Sequence, residues 1–143
     1  MYYHEEQMDL LKAPRGYAIA HCISADFALG AGVAKQIEDV YSMKTQLKTM
    51  YGDWEHTELV GAALPCLDVI NLVTKARYYH KPTLQSLQEA LEDMRRYCDE
   101  SGIAKIAMPQ IGCGLDRLHW DDVKPVIQNV FADSDIEIMV CYL

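Results

Sequence analysis

From Gly16 to Asp26 the chain reads GYAIAHCISAD, a nearly unbroken apolar run that ends in small polar residues. A strand with one wet face alternates apolar and polar positions. A run apolar at almost every position suits a strand buried on both faces, as in a parallel sheet. The pattern changes at once in LGAGVAKQIEDVY, 29–41. There Val33, Ile37 and Val40/Tyr41 recur at helical spacing, and the glycines stand at the helix entry. Residues 42–56 read as polar helix or loop. ELVGAALP, 58–65, and CLDVINLVTKA, 66–76, read as two strands, the second rich in β-branched residues.

The plainest helix lies in HKPTLQSLQEALEDMRRYCDESG. Leu84, Leu87, Leu91, Met94 and Cys98 form one apolar stripe, Pro82 and Thr83 open it, and Gly102 lies just past its end. IAKIAMPQ, 103–110, is a short buried strand. HWDDVKPVIQNVF places Val123, Val126/Ile127 and Val130 on one face. Pro125 is expected in its first turn, which puts the start near Asp121. DIEIMVCYL closes the chain as a strand with Ile136, Ile138, Val140 and Tyr142 on one side. No element is read before Asp9. Strands alternating with helices of this length predict a mainly parallel sheet with helices on both faces. Ligands bind such sheets at the carboxyl ends of the strands, where two loops, 26–33 and 110–118, carry the glycines.

The bulk numbers narrow the class. A chain of 143 residues, half of them apolar, fits one domain with one sizeable core. No stretch approaches the roughly 20 apolar residues of a membrane helix. The acidic, mixed start differs from a signal peptide, so the cytoplasm is the expected compartment. The five cysteines are scattered, with no C-x-x-C, and read as free thiols. A net charge of −8 argues against nonspecific nucleic-acid binding but leaves room for a small anion held by backbone N–H groups.

DFALGAGVA, 26–34, has the layout of an anion cradle: strand, Gly-Ala-Gly, helix. Lys35 holds the place of the third glycine of a dinucleotide fingerprint, and the Walker pattern is absent. A close strand-to-helix turn fits the stretch equally well. QIGCGLDRLHW, 110–120, repeats the logic, and two such loops at neighbouring strand ends could bracket a diphosphate. Cys113 lies between two glycines and reads as a small loop residue rather than a nucleophile, since His119 opens the next helix. Asp116 ends the glycine turn, where a carboxylate serves either as general base or as an N-cap. Lys75 closes an apolar strand. A loop folded over it would make it a candidate nucleophile toward the carbonyl carbon of an opened sugar; otherwise it is a snorkelling charge. His21 reads as a satisfied core histidine and Ser24 as a strand-terminal hydroxyl.

AHCISADFALGAGVA, VTKARYYHKPT and MPQIGCGLDRLHW, taken in this order, resemble macrodomains. The resemblance is strongest to the compact branch of terminal ADP-ribose glycohydrolases and O-acetyl-ADP-ribose deacetylases, and it runs from about Asp9 to Leu143. It implies a three-layer α/β/α macrodomain over 1–143, with a mixed, mainly parallel sheet. It further implies that Lys75 attacks the anomeric carbon of the distal ribose and that Asp116 resolves the adduct. It places Asp9 and Leu10 at the adenosine end, Ser24 near the distal ribose, and Leu143 by the adenine. Gly30, Ala31, Gly32 and Val33 match one loop around the diphosphate. Gln110, Ile111, Gly112, Cys113, Gly114 and Leu115 match the other. The branch needs no metal and no cofactor, acts on ADP-ribose and its esters, and is expected as a monomer. Two positions depart from it. Met8 precedes Asp9 where glycine is usual, and Gln110 replaces an arginine. Segment 42–65 matches poorly.

The leading expectation is therefore hydrolysis of ADP-ribosyl esters on acidic side chains, on O-acyl-ADP-ribose, or both. Three alternatives remain open at this level: an ADP-ribose-binding module without turnover, a hydrolase of ADP-ribosylated nucleic-acid bases, and a phosphatase acting on ADP-ribose-1″-phosphate. The assays that separate them are release of ADP-ribose from esters, release from modified thymidine, and phosphate release.

Overall fold

The computed structural model describes residues 1–143. Its six strands are β1 (Tyr2–Gln7), β2 (Ala18–Ser24), β3 (Ala63–Cys66), β4 (Val69–Lys75), β5 (Lys105–Met108) and β6 (Glu137–Tyr142). They form one sheet in the order β1-β6-β5-β2-β4-β3. Every pairing is parallel except β3 with β4, so the sheet is mixed and mainly parallel. Five helices complete the chain: α1 (Gly32–Tyr41), α2 (Met43–Tyr51), α3 (His56–Leu59), α4 (Leu84–Ser101) and α5 (Trp120–Phe131).

The strand alternation sorts side chains into two cores. Ala20, Ile70, Leu72, Ile106, Met108, Ile138 and Val140 pack against Leu87, Leu91 and Met94 of α4 and Val123, Ile127 and Phe131 of α5. The residues between them, Ile19, Ile23, Val69, Val73, Ala107 and Met139, pack against Ile37 of α1 and Met43 and Leu47 of α2. Both faces are thus dry, which is why the strands read as apolar runs. Each fully buried Leu, Ile or Met contributes roughly 1.5–3 kcal/mol relative to exposure.

Several local expectations are corrected. Residues 2–7 form a strand that carries no apolar alternation. It lies at the sheet edge and is recruited by parallel pairing with β6, from Tyr2 opposite Glu137 to Gln7 opposite Tyr142. Residues 58–62 are not strand: α3 ends at Leu59, and β3 begins only at Ala63. Val40 is 63% exposed, so Ile37 alone anchors α1 deeply. Leu84 also faces outward, at the first turn of α4. Pro125 sits in the second turn of α5, because that helix already starts at Trp120. Its ring leaves the Asp121 carbonyl without a helical donor, and both residues are exposed, where solvent can satisfy that oxygen.

Thr83 and Ser86 close a reciprocal capping box at the start of α4, and Gly102 takes the left-handed conformation past its end. The start of α1 is different: Ala31 is its N-cap and supplies no side-chain acceptor. The first N–H groups of α1 are therefore left for something else.

Candidate active site

The carboxyl ends of β2, β4 and β5 open into one cleft of about 920 Å³. Two glycine loops form its walls. The first runs from Asp26 into α1. Its backbone is strained: Phe27 has φ +55° and Leu29 φ +42°, in the left-handed region that side chains disfavour. Burial of both side chains, each 4% exposed, holds them there. The result leaves the N–H groups of Leu29, Gly30 and Ala31 without an acceptor in the protein. The second loop runs from Gln110 to Leu118. Cys113 N–H donates to the Gln110 carbonyl at 3.2 Å, and Leu118 N–H to the Gly112 carbonyl at 2.8 Å. The N–H groups of Gly114, Leu115 and Asp116 remain open. Leu115 reaches across so that a Cβ at Gly32 would lie 3.9 Å from its Cδ1. The two loops thus meet over the cleft.

Between them stands an ion pair. Lys75 Nζ donates to Asp116 Oδ1 at 2.6 Å, with side chains 14% and 17% exposed. A register shift at Ile23/Ser24 helps to place it. Ile23 pairs with Val73 but Ser24 pairs with Lys75, so Thr74 is the extra residue. Such bulges bend a strand end and re-aim the side chains that follow.

Asp26 ties the site together. Its Oδ1 accepts the Ser24 hydroxyl at 2.5 Å and the Ala28 N–H at 3.3 Å, while its Oδ2 accepts the Tyr78 N–H at 3.0 Å. Burial opposes its charge, yet the Ser24 hydroxyl and the Tyr78 and Ala28 N–H groups hold its carboxyl below the usual range. The loop between β4 and α4 is pinned at its other end by Lys81, whose Nζ donates to the Leu115 carbonyl at 3.1 Å.

Every site residue singled out in the sequence borders this cleft: Lys75, Asp116, Asp9, Leu10, Ser24, Gly30, Ala31, Gly32, Val33, Gln110, Ile111, Gly112, Cys113, Gly114, Leu115 and Leu143. Their settings differ. Asp9 caps a short 3-10 turn over Leu10–Lys12 by accepting the Leu11 N–H at 3.0 Å. Leu10 is buried beneath it, while Leu143 is 90% exposed at the cleft edge. The Ser24 proton is engaged by Asp26. Ile111 is buried in the core, so it presents backbone to the cleft. Burial pushes the Cys113 thiol up, and its Sγ donates to the Ile111 carbonyl at 3.3 Å. It is a poor source of thiolate. All five cysteines are unpaired.

His21 is buried and only half satisfied. Its Nε2–H donates to Asn71 Oδ1 at 2.6 Å, and Nδ1 has no partner. Burial depresses its pKa to about 4, against the opposing hydrogen bond to Asn71, so it is neutral at pH 7. Sequence reading missed Tyr78 and Lys81, which line the cleft, and Asp26, which braces it. The signal available was the run KARYYHKP, basic and aromatic with no acid, directly after the Lys75 strand end.

The profile of the Macro domain family matches residues 20–127. The human protein named ADP-ribose glycohydrolase OARD1 is 38% identical over 136 residues, covering 92% of this chain and 86% of the human one. The bovine protein of the same name is 37% identical over the same length. In structure, the macrodomain of Thermus aquaticus DarG matches with a TM-score of 0.82 at 22% identity, covering 99% of this chain and 97% of the other.

Proposed function

The chain belongs to the macrodomain family, and we propose that it hydrolyses ADP-ribosyl esters, taking ADP-ribose from acidic side chains, from O-acyl-ADP-ribose, or from both. The observation that carries this reading is the Lys75–Asp116 pair at 2.6 Å, set between two loops with free N–H groups. The loops hold the diphosphate: α1 offers an uncapped N-terminus, whose dipole favours anions. Met8, Leu10, Cys141, Tyr142 and Leu143 form an apolar end suited to adenine, and the Asp9 oxygen not used by Leu11 is free to accept from its amine. Held at the base and the diphosphate, the distal ribose reaches the pair.

The chemistry then follows from two side chains. Lys75 passes a proton to Asp116 across their hydrogen bond and attacks the anomeric carbon as an amine. The bond from that carbon to the acyl oxygen breaks, and the carboxylate leaves with the bonding electrons. The sugar opens into a Schiff-base-like adduct on Lys75. Water adds to it, with Asp116 as proton shuttle, and releases ADP-ribose. The free thiols suit a reducing cytoplasm.

The test is release of ADP-ribose from an automodified ADP-ribosyltransferase and from O-acetyl-ADP-ribose. Wild type releases it from one or both. Tight ADP-ribose binding with no turnover on either ester makes the protein a binding module instead.

A further inference from the structure

Resting on the ester-hydrolase reading above, we propose that Lys81 marks the leaving-group subsite of this cleft and is the cation that meets the carboxylate as it departs from the sugar. Four carboxylate or ammonium side chains line the cleft: Asp9, Lys75, Lys81 and Asp116. Asp9 lies at the adenosine end. Lys75 and Asp116 compensate each other. Lys81 takes part in no salt bridge, so it is the uncompensated charge at the reacting end.

Its placement is fixed at both ends of its loop. Lys75 begins the segment, and the bond from Lys81 Nζ to the Leu115 carbonyl brings the ammonium beside the peptide that leads into Asp116. That bond uses one of its three donors on a neutral acceptor, so two stay free. Asp26 holds the Tyr78 N–H between them, which keeps the segment in place before any substrate arrives. The ammonium is on the open side of the cleft: Lys81 is exposed, and Tyr78 beside it is 66% exposed. A leaving group can therefore extend outward to any length, which fits both a small acyl group and a protein side chain.

In the displacement step the anomeric C–O bond breaks as the Lys75 N–C bond forms. The electron pair goes to the carboxylate, and the proton lost by Lys75 resides on Asp116. Asp116 has already taken that proton and cannot protonate the leaving group. Negative charge therefore develops on the departing oxygens, and a free ammonium stabilises it more in the transition state than in the neutral ester.

The experiment compares two 1″-O-acyl esters of ADP-ribose, acetyl and chloroacetyl, on wild type, Lys81→Gln and Lys81→Arg. Glutamine keeps a donor for the Leu115 carbonyl and removes the charge. On the acetyl ester Lys81→Gln loses about 10- to 100-fold in kcat, the worth of one charge-assisted hydrogen bond. On the chloroacetyl ester, whose anion needs less help, the loss is much smaller. Lys81→Arg keeps most of the rate, and ADP-ribose binding by calorimetry is the same in all three. Equal losses on both esters would show that Lys81 only positions the loop and overturn the proposal, as would no loss on either. Wild type that binds ADP-ribose but turns over neither ester removes the hydrolase reading itself, and this proposal with it.

Discussion

Lys75 Nζ and Asp116 Oδ1 lie 2.6 Å apart across 41 positions of sequence, joined where the end of β4 meets the second glycine loop. Groups that act as one unit lose their effect together. Lys75→Ala and Asp116→Ala are each expected to lower kcat for ester hydrolysis by roughly 100-fold or more. The double variant should be little worse than either. ADP-ribose affinity should change only slightly, since the open donors of both loops are backbone N–H groups that an alanine side chain leaves in place. Steady-state kinetics on all three variants checks this, and losses that multiply in the double variant would mean that the two side chains act independently.

Cys113 should be dispensable. Its thiol is raised by burial and donates to the Ile111 carbonyl. Cys113→Ala is expected to keep kcat within roughly two-fold of wild type, the range of a substitution that breaks no charged or buried network. A loss of a hundred-fold in the same assay would restore the cysteine as a nucleophile.

The two glycines around Cys113 should behave differently. Gly112 has φ +73°, and an added Cβ would lie 2.9 Å from Leu118 Cδ1. Gly112→Ala combines backbone strain with crowding and should cost about 1–3 kcal/mol in urea unfolding. Gly114 has neither feature: its Cβ would meet nothing within 4 Å. Gly114→Ala should unfold like wild type. Similar unfolding midpoints for the two variants would contradict this account of the loop.

β1 carries a pH-dependent clasp. His4 Nδ1 meets Glu6 at 2.8 Å and its Nε2 meets Glu137 at 3.0 Å. Burial opposes the imidazolium, but the two carboxylates outweigh it and raise the pKa above the ordinary value. A raised folded pKa contributes stability that is fully present below about pH 6.5 and is lost as pH rises through the folded value. Wild type should therefore exceed His4→Gln in Tm at about pH 5.5, by the equivalent of about 0.2–1 kcal/mol, with the gap closing as pH rises through the raised folded value. A gap that widens with pH would reverse the sign of the effect.

Much of the fold was legible because burial leaves a periodic trace. The stripe Leu87, Leu91, Met94 and Cys98 repeats at helical spacing because one side of α4 is dry. β2, β4, β5 and β6 are continuous apolar runs because both their faces are dry. The errors fall where that trace is missing. β1 is an edge strand stabilised by backbone pairing to β6, and its sequence YYHEEQ has no apolar face to reveal it. After Glu58, residues 59–62 are apolar, yet they form a helix end and a turn, because short apolar segments fit several states.

The sequence by itself determined most of the elements, the mainly parallel sheet and the two glycine loops, since residue type at each position sets what must be buried and where the backbone can turn. Only the tertiary structure decided that Lys75 faces Asp116, that Asp26 braces the Tyr78 segment, and that Lys81 reaches Leu115. Those contacts depend on strand order and on one bulge at Ile23/Ser24, which are set by the packing of the whole sheet. A polar residue in a loop has no period, so its partner becomes visible only once distant segments lie side by side.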